Sequence, residues 1–264
     1  MYDFTYHKAS STADAAAKAK GKDDAKFMAG GQTLIPTLKQ RLAKPTDVID
    51  LGGLSDLRGI SASGGTLTIG AMATHAAVAN SADVKKAIPA LTTLAERIGD
   101  PQVRNRGTIG GSVANNDPAA DYPAGVLALG ATIHTDQRQI AADDFFISVF
   151  ETALKPGELI TKIAFPTPQK AAYVKFPSPA SRYAMIGVFV AKTASGARVV
   201  VTGAGNGVIR MKSMEAALSK NWSAAALDGI AVPPSACNGD IHGSPEYRAH
   251  LISVMAKRAV AAAG

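Results

Sequence analysis

The chain has 264 residues, of which 47% are hydrophobic and 19% charged, and a formal net charge of +7. This length accommodates two modest domains or one large one, and the composition is that of an ordinary folded protein. The basic residues are scattered and aromatic residues make up only 6%, which argues against a nucleic-acid-binding surface. No stretch approaches the roughly 18 consecutive apolar residues of a membrane span, and the polar start lacks a signal-peptide pattern. We therefore expect a cytoplasmic protein.

The sequence carries few residues suited to metal binding. Cys237 is the only cysteine, so the chain forms no internal disulfide and cannot alone hold a four-cysteine iron–sulfur cluster. Its five histidines show no metal-ligand spacing. We predict no metal site in this chain.

The first 55 residues predict a small α/β unit. Residues 10–20 are rich in Ala and Lys, and Ser11 or Thr12 is suited to cap a helix there. Strands are predicted at 26–29 and 48–51, with a helix at 37–42 between them. A glycine-rich segment, Ala29–Thr33, joins the first of these strands to that helix.

Residues 56–168 predict a mixture of strands and helices. Gly64-Gly65 is typical of a hairpin turn, and a helix is expected to start at Thr74 or His75. A second glycine-rich segment, Thr108–Ser112, lies in the middle of this part. The other predicted elements are a helix with an apolar stripe over 91–98, a helix at 122–129 and strands at 131–134 and 158–166.

The remainder, residues 169–264, predicts a separate domain. Antiparallel strands are expected at 183–192 and 198–201 around the Ser195-Gly196 turn. Helices are expected at 213–220, 224–230 and 247–262. Prolines at 166 and 168, and again at 177 and 179, mark the expected boundary.

Each glycine-rich segment places a Gly-Gly pair beside Thr or Ser. Such pairs let the backbone approach a ligand and turn its N–H groups towards it, and the hydroxyls add donors. One segment alone is equally compatible with a tight turn, but two predict the halves of a nucleotide-diphosphate site. Neither matches the G-x-G-x-x-G or P-loop pattern, which disfavours a Rossmann fold and excludes a P-loop. The segments are Ala29-Gly30-Gly31-Gln32-Thr33 and Thr108-Ile109-Gly110-Gly111-Ser112.

Polar residues around the second segment each have two interpretations. Asp121 is suited to accept hydrogen bonds from a ribose, or to cap the helix that follows it. Asn115 and Asn116 either donate to a ligand or turn the chain. Arg104 and Arg106 contact a partner or a phosphate, or lie in solvent.

Segments spread along the chain match the pattern of one family. They are Ala29–Pro36, Asp47–Leu51, Ile98–Arg104, Gly107–Ser112, Asp117–Asp121, Pro156–Ile160, Glu246–Arg248 and Arg258–Val260. In these segments the chain closely resembles the FAD-binding medium subunit of molybdenum hydroxylases, which include aerobic carbon monoxide dehydrogenase and xanthine dehydrogenase. Ser112 differs from the Asn of many relatives, and the cysteine-rich insertion of some relatives is absent.

The resemblance implies an α+β fold. A two-subdomain FAD-binding domain of the vanillyl-alcohol-oxidase-like (PCMH) type is expected over 1–168, with its subdomains divided near residue 55. A C-terminal α+β domain of the carbon monoxide dehydrogenase flavoprotein type, with an antiparallel sheet and helices, is expected over 169–264. No residue of the chain is implied to be catalytic, and Tyr183 is implied to lie beside the flavin. The implied FAD-binding residues are Met28, Ala29, Gly30, Gly31, Gln32, Thr33, Leu34, Ile98, Thr108, Ile109, Gly110, Gly111, Ser112, Asn115, Asp121, Ile160 and Tyr183.

The resemblance also implies partners, in an (αβγ)2 assembly. An iron–sulfur small subunit would carry two [2Fe–2S] clusters, and a large subunit would carry the molybdenum cofactor. Electrons would pass from molybdenum through the clusters to FAD in this chain, and then to an external acceptor. Two alternatives remain open: a stand-alone FAD-dependent oxidase of the same fold, and a binding module that has lost its flavin.

Gly110→Val is expected to abolish FAD retention. A branched side chain would occupy the space of the pyrophosphate and resist the backbone conformation required there. The flavin content of the purified variant measures this, and a full complement of flavin would show that the second segment is wrongly assigned.

Overall fold

The computed structural model describes residues 1–264, which begin with a three-stranded parallel sheet. The strands lie in the order β1-β3-β2, so their carboxyl ends meet at one edge. Ser11 caps the first helix by accepting a hydrogen bond from the Asp14 N–H at 3.0 Å, as predicted. The second helix starts three residues earlier than predicted, directly after the first glycine segment. The elements are β1 (Thr5–Lys8), α1 (Thr12–Ala19), β2 (Lys26–Met28), α2 (Leu34–Lys39) and β3 (Asp47–Asp50).

A five-stranded antiparallel sheet and seven α-helices follow. Its strand order is β4-β5-β10-β6-β7, and β8 and β9 form a separate hairpin. The predicted turn at Gly64-Gly65 joins β4 to β5, with positive φ at both glycines. The elements after the 3-10 helix Ser55–Arg58 are β4 (Ile60–Ser63), β5 (Thr66–Gly70), α3 (His75–Asn80), α4 (Ala82–Ala87), α5 (Pro89–Glu96), α6 (Pro101–Arg106), α7 (Ile109–Asn115), α8 (Tyr122–Ala128), β6 (Thr132–Thr135), β7 (Gln139–Ala141), the single-turn α9 (Ala142–Phe145), β8 (Phe146–Ser148), β9 (Glu151–Thr152) and β10 (Ile160–Pro166).

The last sheet has four antiparallel strands in sequence order. Pro177 ends its first strand, so this proline lies within the sheet and not at a domain boundary. The helix predicted over 224–230 is wrong, since only a 3-10 turn, Ala224–Leu227, forms there. None of the helices combines the length and apolar character needed to cross a membrane. The elements are β11 (Lys170–Pro177), β12 (Ala184–Thr193), β13 (Gly196–Thr202), β14 (Ile209–Arg210), α10 (Lys212–Lys220) and α11 (Pro245–Ala262).

This last sheet is buried on both faces. Because successive strand residues point to opposite sides, Tyr173, Phe189 and Val200 join the core that contains α5 and α8. Val188 and Val190 join the core beneath α10 and α11. The C-terminal part therefore shares a continuous apolar core with the preceding helices.

Phe189→Ala is expected to lower the free energy of unfolding by about 3–5 kcal/mol, because Phe189 is fully buried. Phe150→Ala removes the same side chain where it is 60% exposed, and is expected to change stability by less than about 0.5 kcal/mol. Chemical denaturation of both variants measures the difference. Equal losses would contradict the burial of this sheet face.

Candidate cofactor site

The first glycine segment joins β2 to α2 at the carboxyl edge of the parallel sheet. Gly31 has φ of +75°, a conformation that favours glycine. None of the backbone N–H groups of residues 29–34 donates a hydrogen bond within the protein. This run of unpaired donors is what an anionic ligand requires.

The two glycine segments meet at Gly30. A Cβ added to Gly30 would lie 1.9 Å from the carbonyl oxygen of Arg106 and 2.9 Å from the Cα of Gly107. Only glycine permits this approach. A Cβ added to Gly111 would lie 3.7 Å from that of Ala29. The structure therefore brings the two predicted segments together at one cleft.

The second glycine segment forms the first turn of α7, which corrects the expectation that its N–H groups turn towards a ligand. The N–H groups of residues 109–112 donate to the carbonyls of residues 71, 73 and 108 and to the Thr108 hydroxyl, over 2.9–3.1 Å. Thr108 thus caps the helix. Two half-buried side chains of α7, those of Ser112 and Asn115, form no hydrogen bond within the protein. This segment therefore offers a ligand the side chains of α7 and not its backbone donors.

Gly110 faces the protein and not the cleft. A Cβ added to Gly110 would lie 2.6 Å from the Cβ and 2.7 Å from the carbonyl oxygen of Ala71. The steric reason given above for the effect of Gly110→Val is therefore wrong. A valine there would displace α7 from Ala71 instead of filling the space of a pyrophosphate.

His75 packs behind the turn between α6 and α7. The backbone N–H of His75 donates to the Gly107 carbonyl at 2.9 Å, and a Cβ added to Gly107 would lie 2.5 Å from the Nε2 of the His75 ring. Burial lowers the pKa of His75 to about 4, and the nearby charge of Arg104 contributes to this shift. The ring is therefore neutral at pH 7, and its buried Nδ1 has no partner.

The side chain of Asp121 is buried, and it neither caps α8 nor reaches the cleft. One carboxylate oxygen accepts a hydrogen bond from the Tyr173 hydroxyl, and the Lys175 ammonium lies 3.0 Å from the carboxylate. Its side chain forms no cap hydrogen bond with α8. Burial raises the pKa of Asp121, and the Lys175 charge and the Tyr173 hydroxyl oppose that shift. Asp121 thus joins the segment after α7 to β11, and the expected contact with a ribose is not supported.

Tyr183 lies in the turn before β12 and is 46% exposed. Partial burial raises the pKa of its phenol, and the carboxylates of Asp117 and Asp121 raise it further.

The other residues predicted to bind FAD differ in how far they are exposed. Met28, Gln32, Thr33 and Leu34 lie in or beside the first segment and are half-buried or exposed. Ile98 is half-buried just after α5. By contrast, Ile160 is only 3% exposed in β10, which packs against α7. The structure does not bring Ile160 to the surface of the cleft.

Sequence reasoning missed several residues that line a pocket beside the first segment. The pocket measures about 290 Å³ and is bordered by the ends of all three parallel strands. A third glycine pair after a predicted strand was the available signal, since parallel strands carry binding loops at their carboxyl ends. The missed residues are Lys8, Asp50, Gly52 and Gly53. Arg106, for which contact with a partner or a phosphate and a position in solvent were both left open, lines the same pocket.

Comparison with known proteins assigns the site to a family. A family model described as the FAD binding domain in molybdopterin dehydrogenase matches residues 2–168. The chain is 36% identical to the carbon monoxide dehydrogenase medium chain of Afipia carboxidovorans, covering 97% of this chain and 95% of that protein. It is 34% identical to the nicotine 6-hydroxylase medium subunit of Paenarthrobacter nicotinovorans, covering 98% and 96%.

Solved structures agree with these relatives. A crystal structure of the Cu,Mo carbon monoxide dehydrogenase, in its cyanide-inactivated form, matches with a TM-score of 0.90 at 35% identity, covering 100% of this chain and 98% of that chain. Quinoline 2-oxidoreductase from Pseudomonas putida matches with a TM-score of 0.88 at 27% identity, covering 99% and 96%. The α+β fold and the resemblance expected from the sequence are confirmed. The chain belongs to the FAD-binding medium subunits of the molybdenum hydroxylases, the molybdopterin-dependent dehydrogenases.

Proposed function

We propose that this chain binds FAD in the cleft between the first glycine segment and α7, and relays electrons through it. The supporting observation is the run of unpaired N–H groups at residues 29–34, held against the turn between α6 and α7 by Gly30. A diphosphate needs several convergent donors, and these residues fit that need. The electrons would come from [2Fe–2S] clusters of a small subunit and leave to an external acceptor.

The proposed binding residues have distinct roles. Backbone donors come from residues 29–34, and the unbonded side chains of Ser112 and Asn115 add polar contacts. Tyr183 borders the flavin ring. Two buried residues support the site from outside the cleft: Asp121 through β11, and Ile160 beneath α7. The apolar positions beside the cleft are Met28, Leu34 and Ile98, whereas Thr108, Ile109, Gly110 and Gly111 form the first turn of α7 and position its side chains.

This chain contributes binding and orientation, not acid–base chemistry. Bound FAD supplies the electron-carrying isoalloxazine. Gly30 and Gly31 let the backbone reach the cofactor, while the neutral ring of His75 fixes the opposite wall.

Two partner subunits follow from the same proposal. The named relatives are medium subunits of a multi-subunit hydroxylase and a multi-subunit dehydrogenase, which favours an electron-transfer subunit over a stand-alone oxidase. We propose a small subunit with [2Fe–2S] clusters and a large subunit with the molybdenum cofactor, in an (αβγ)2 assembly in the cytoplasm. The only cysteine, Cys237, is buried and is suited to no cluster.

We also propose two domains, over residues 1–168 and 169–264. The family match ends at residue 168, and β11 begins the last sheet at Lys170. The first domain would divide near residue 55, where the parallel sheet gives way to the antiparallel one.

The visible spectrum of the purified full chain tests the proposed function. We expect a flavin spectrum and the release of an equimolar amount of FAD on denaturation. If neither the chain incubated with FAD nor the chain co-expressed with its partner subunits holds flavin, the proposal is wrong and a flavin-free binding module is indicated.

Gly30→Ala is expected to weaken FAD binding at least tenfold, about 1.4 kcal/mol, because its methyl group would lie 1.9 Å from the Arg106 carbonyl oxygen. Gly207→Ala is the matched control, since an added Cβ there meets open space without a positive φ. Titration of both apo variants with FAD measures the affinities. Equal affinities would show that the first segment does not hold the cofactor.

A further inference from the structure

A second feature of the 290 Å³ pocket is its charge. The first glycine segment forms one wall, with the unpaired N–H groups described above. Lys8, the last residue of β1, and Arg106, the last residue of α6, line the pocket from two other elements. Both side chains are exposed, so they reach the pocket without being held in the core.

Neither cation has a partner within the protein. The ion pairs of the chain include neither Lys8 nor Arg106. A Cβ added to Gly53 would lie 3.7 Å from the Cε of Lys8, so the lysine stem runs beside the glycine pair. Two unpaired cations at one pocket favour an anionic occupant.

The one carboxylate of the pocket is already bonded to neutral donors. Asp50 lies opposite Lys8 in the pairing of β1 with β3, yet the two form no ion pair. Instead, the Tyr6 hydroxyl donates to Asp50 Oδ2 at 2.6 Å, and the Gly52 N–H donates to Oδ1 at 2.8 Å. These bonds hold the carboxylate against its own sheet and leave Lys8 available to a ligand.

We infer that Lys8 and Arg106 bind the diphosphate of the dinucleotide from two sides, with the first glycine segment as the third wall. The inference rests on the proposed function and deepens it, because it names the two side chains that bind the negative charge of the ligand. Arg106 is suited to this role because its planar guanidinium can donate two parallel hydrogen bonds to phosphate oxygens. Lys8 supplies a compact charge on a flexible stem.

Titration of the full-length apo chain with FAD, ADP and riboflavin tests this inference. Arg106→Gln and Lys8→Gln are each expected to weaken FAD and ADP binding about tenfold, and the double variant about a hundredfold. Riboflavin carries no phosphate, so its affinity is expected to stay unchanged. The salt dependence of FAD binding is expected to become shallower in each variant, since fewer charges are screened.

Two further variants separate charge from structure. Lys39→Gln removes an exposed positive charge from α2 that does not line the pocket, and is expected to bind all three ligands like the unaltered chain. Lys8→Arg keeps the charge and is expected to retain most of the affinity for FAD.

The outcomes distinguish the inference from the proposed function. If the unaltered chain binds FAD and the double variant binds it as tightly as Lys39→Gln does, the inference is wrong and the proposed function stands. A loss that extends equally to riboflavin would also overturn it, because it would indicate a structural effect. If neither the unaltered chain nor the chain co-expressed with its partner subunits binds FAD, the proposed function itself fails.

Discussion

The close approach of Gly30 to the backbone of Arg106 and Gly107 is the contact on which the site depends. It brings the carboxyl edge of a small parallel sheet against the turn between α6 and α7, with no room for a side chain between them. One side of that contact offers unpaired N–H groups, and the other is fixed from behind by the buried ring of His75. The two walls therefore have different roles: the first glycine segment offers donors to a ligand, and the turn between α6 and α7 holds that segment in place.

The C-terminal sheet stabilises this arrangement from a distance. One face of β12 packs on α8, which in turn contacts α7, and the opposite face packs on α11. The buried hydrogen bonds from Tyr173 and Lys175 to Asp121 join β11 to the segment after α7. Because a buried charge is costly to leave unpaired, these bonds tie the position of that segment to the last sheet.

Local signals in the sequence predicted much of the fold. The Ser11 cap, the Gly64-Gly65 hairpin and the strands around the Ser195-Gly196 turn all depend on neighbouring residues, and all three are confirmed. The role of Asp121 was not predictable, because its partners lie 52 and 54 residues away. The second glycine segment was predicted to turn its N–H groups towards a ligand, but the cap supplied by Thr108 starts a helix there. Lys8 reaches the first glycine segment only through the pairing of β1 with β3.

Amide hydrogen exchange of the full chain, measured with and without FAD, tests the central claim most directly. The account predicts fast exchange at residues 29–34 in the apo chain, because their N–H groups lack acceptors, and strong protection when FAD binds. Residues 109–112, already bonded within the protein, are expected to exchange slowly in both states. Bound FAD without added protection at 29–34 would contradict the claim that this segment holds the cofactor.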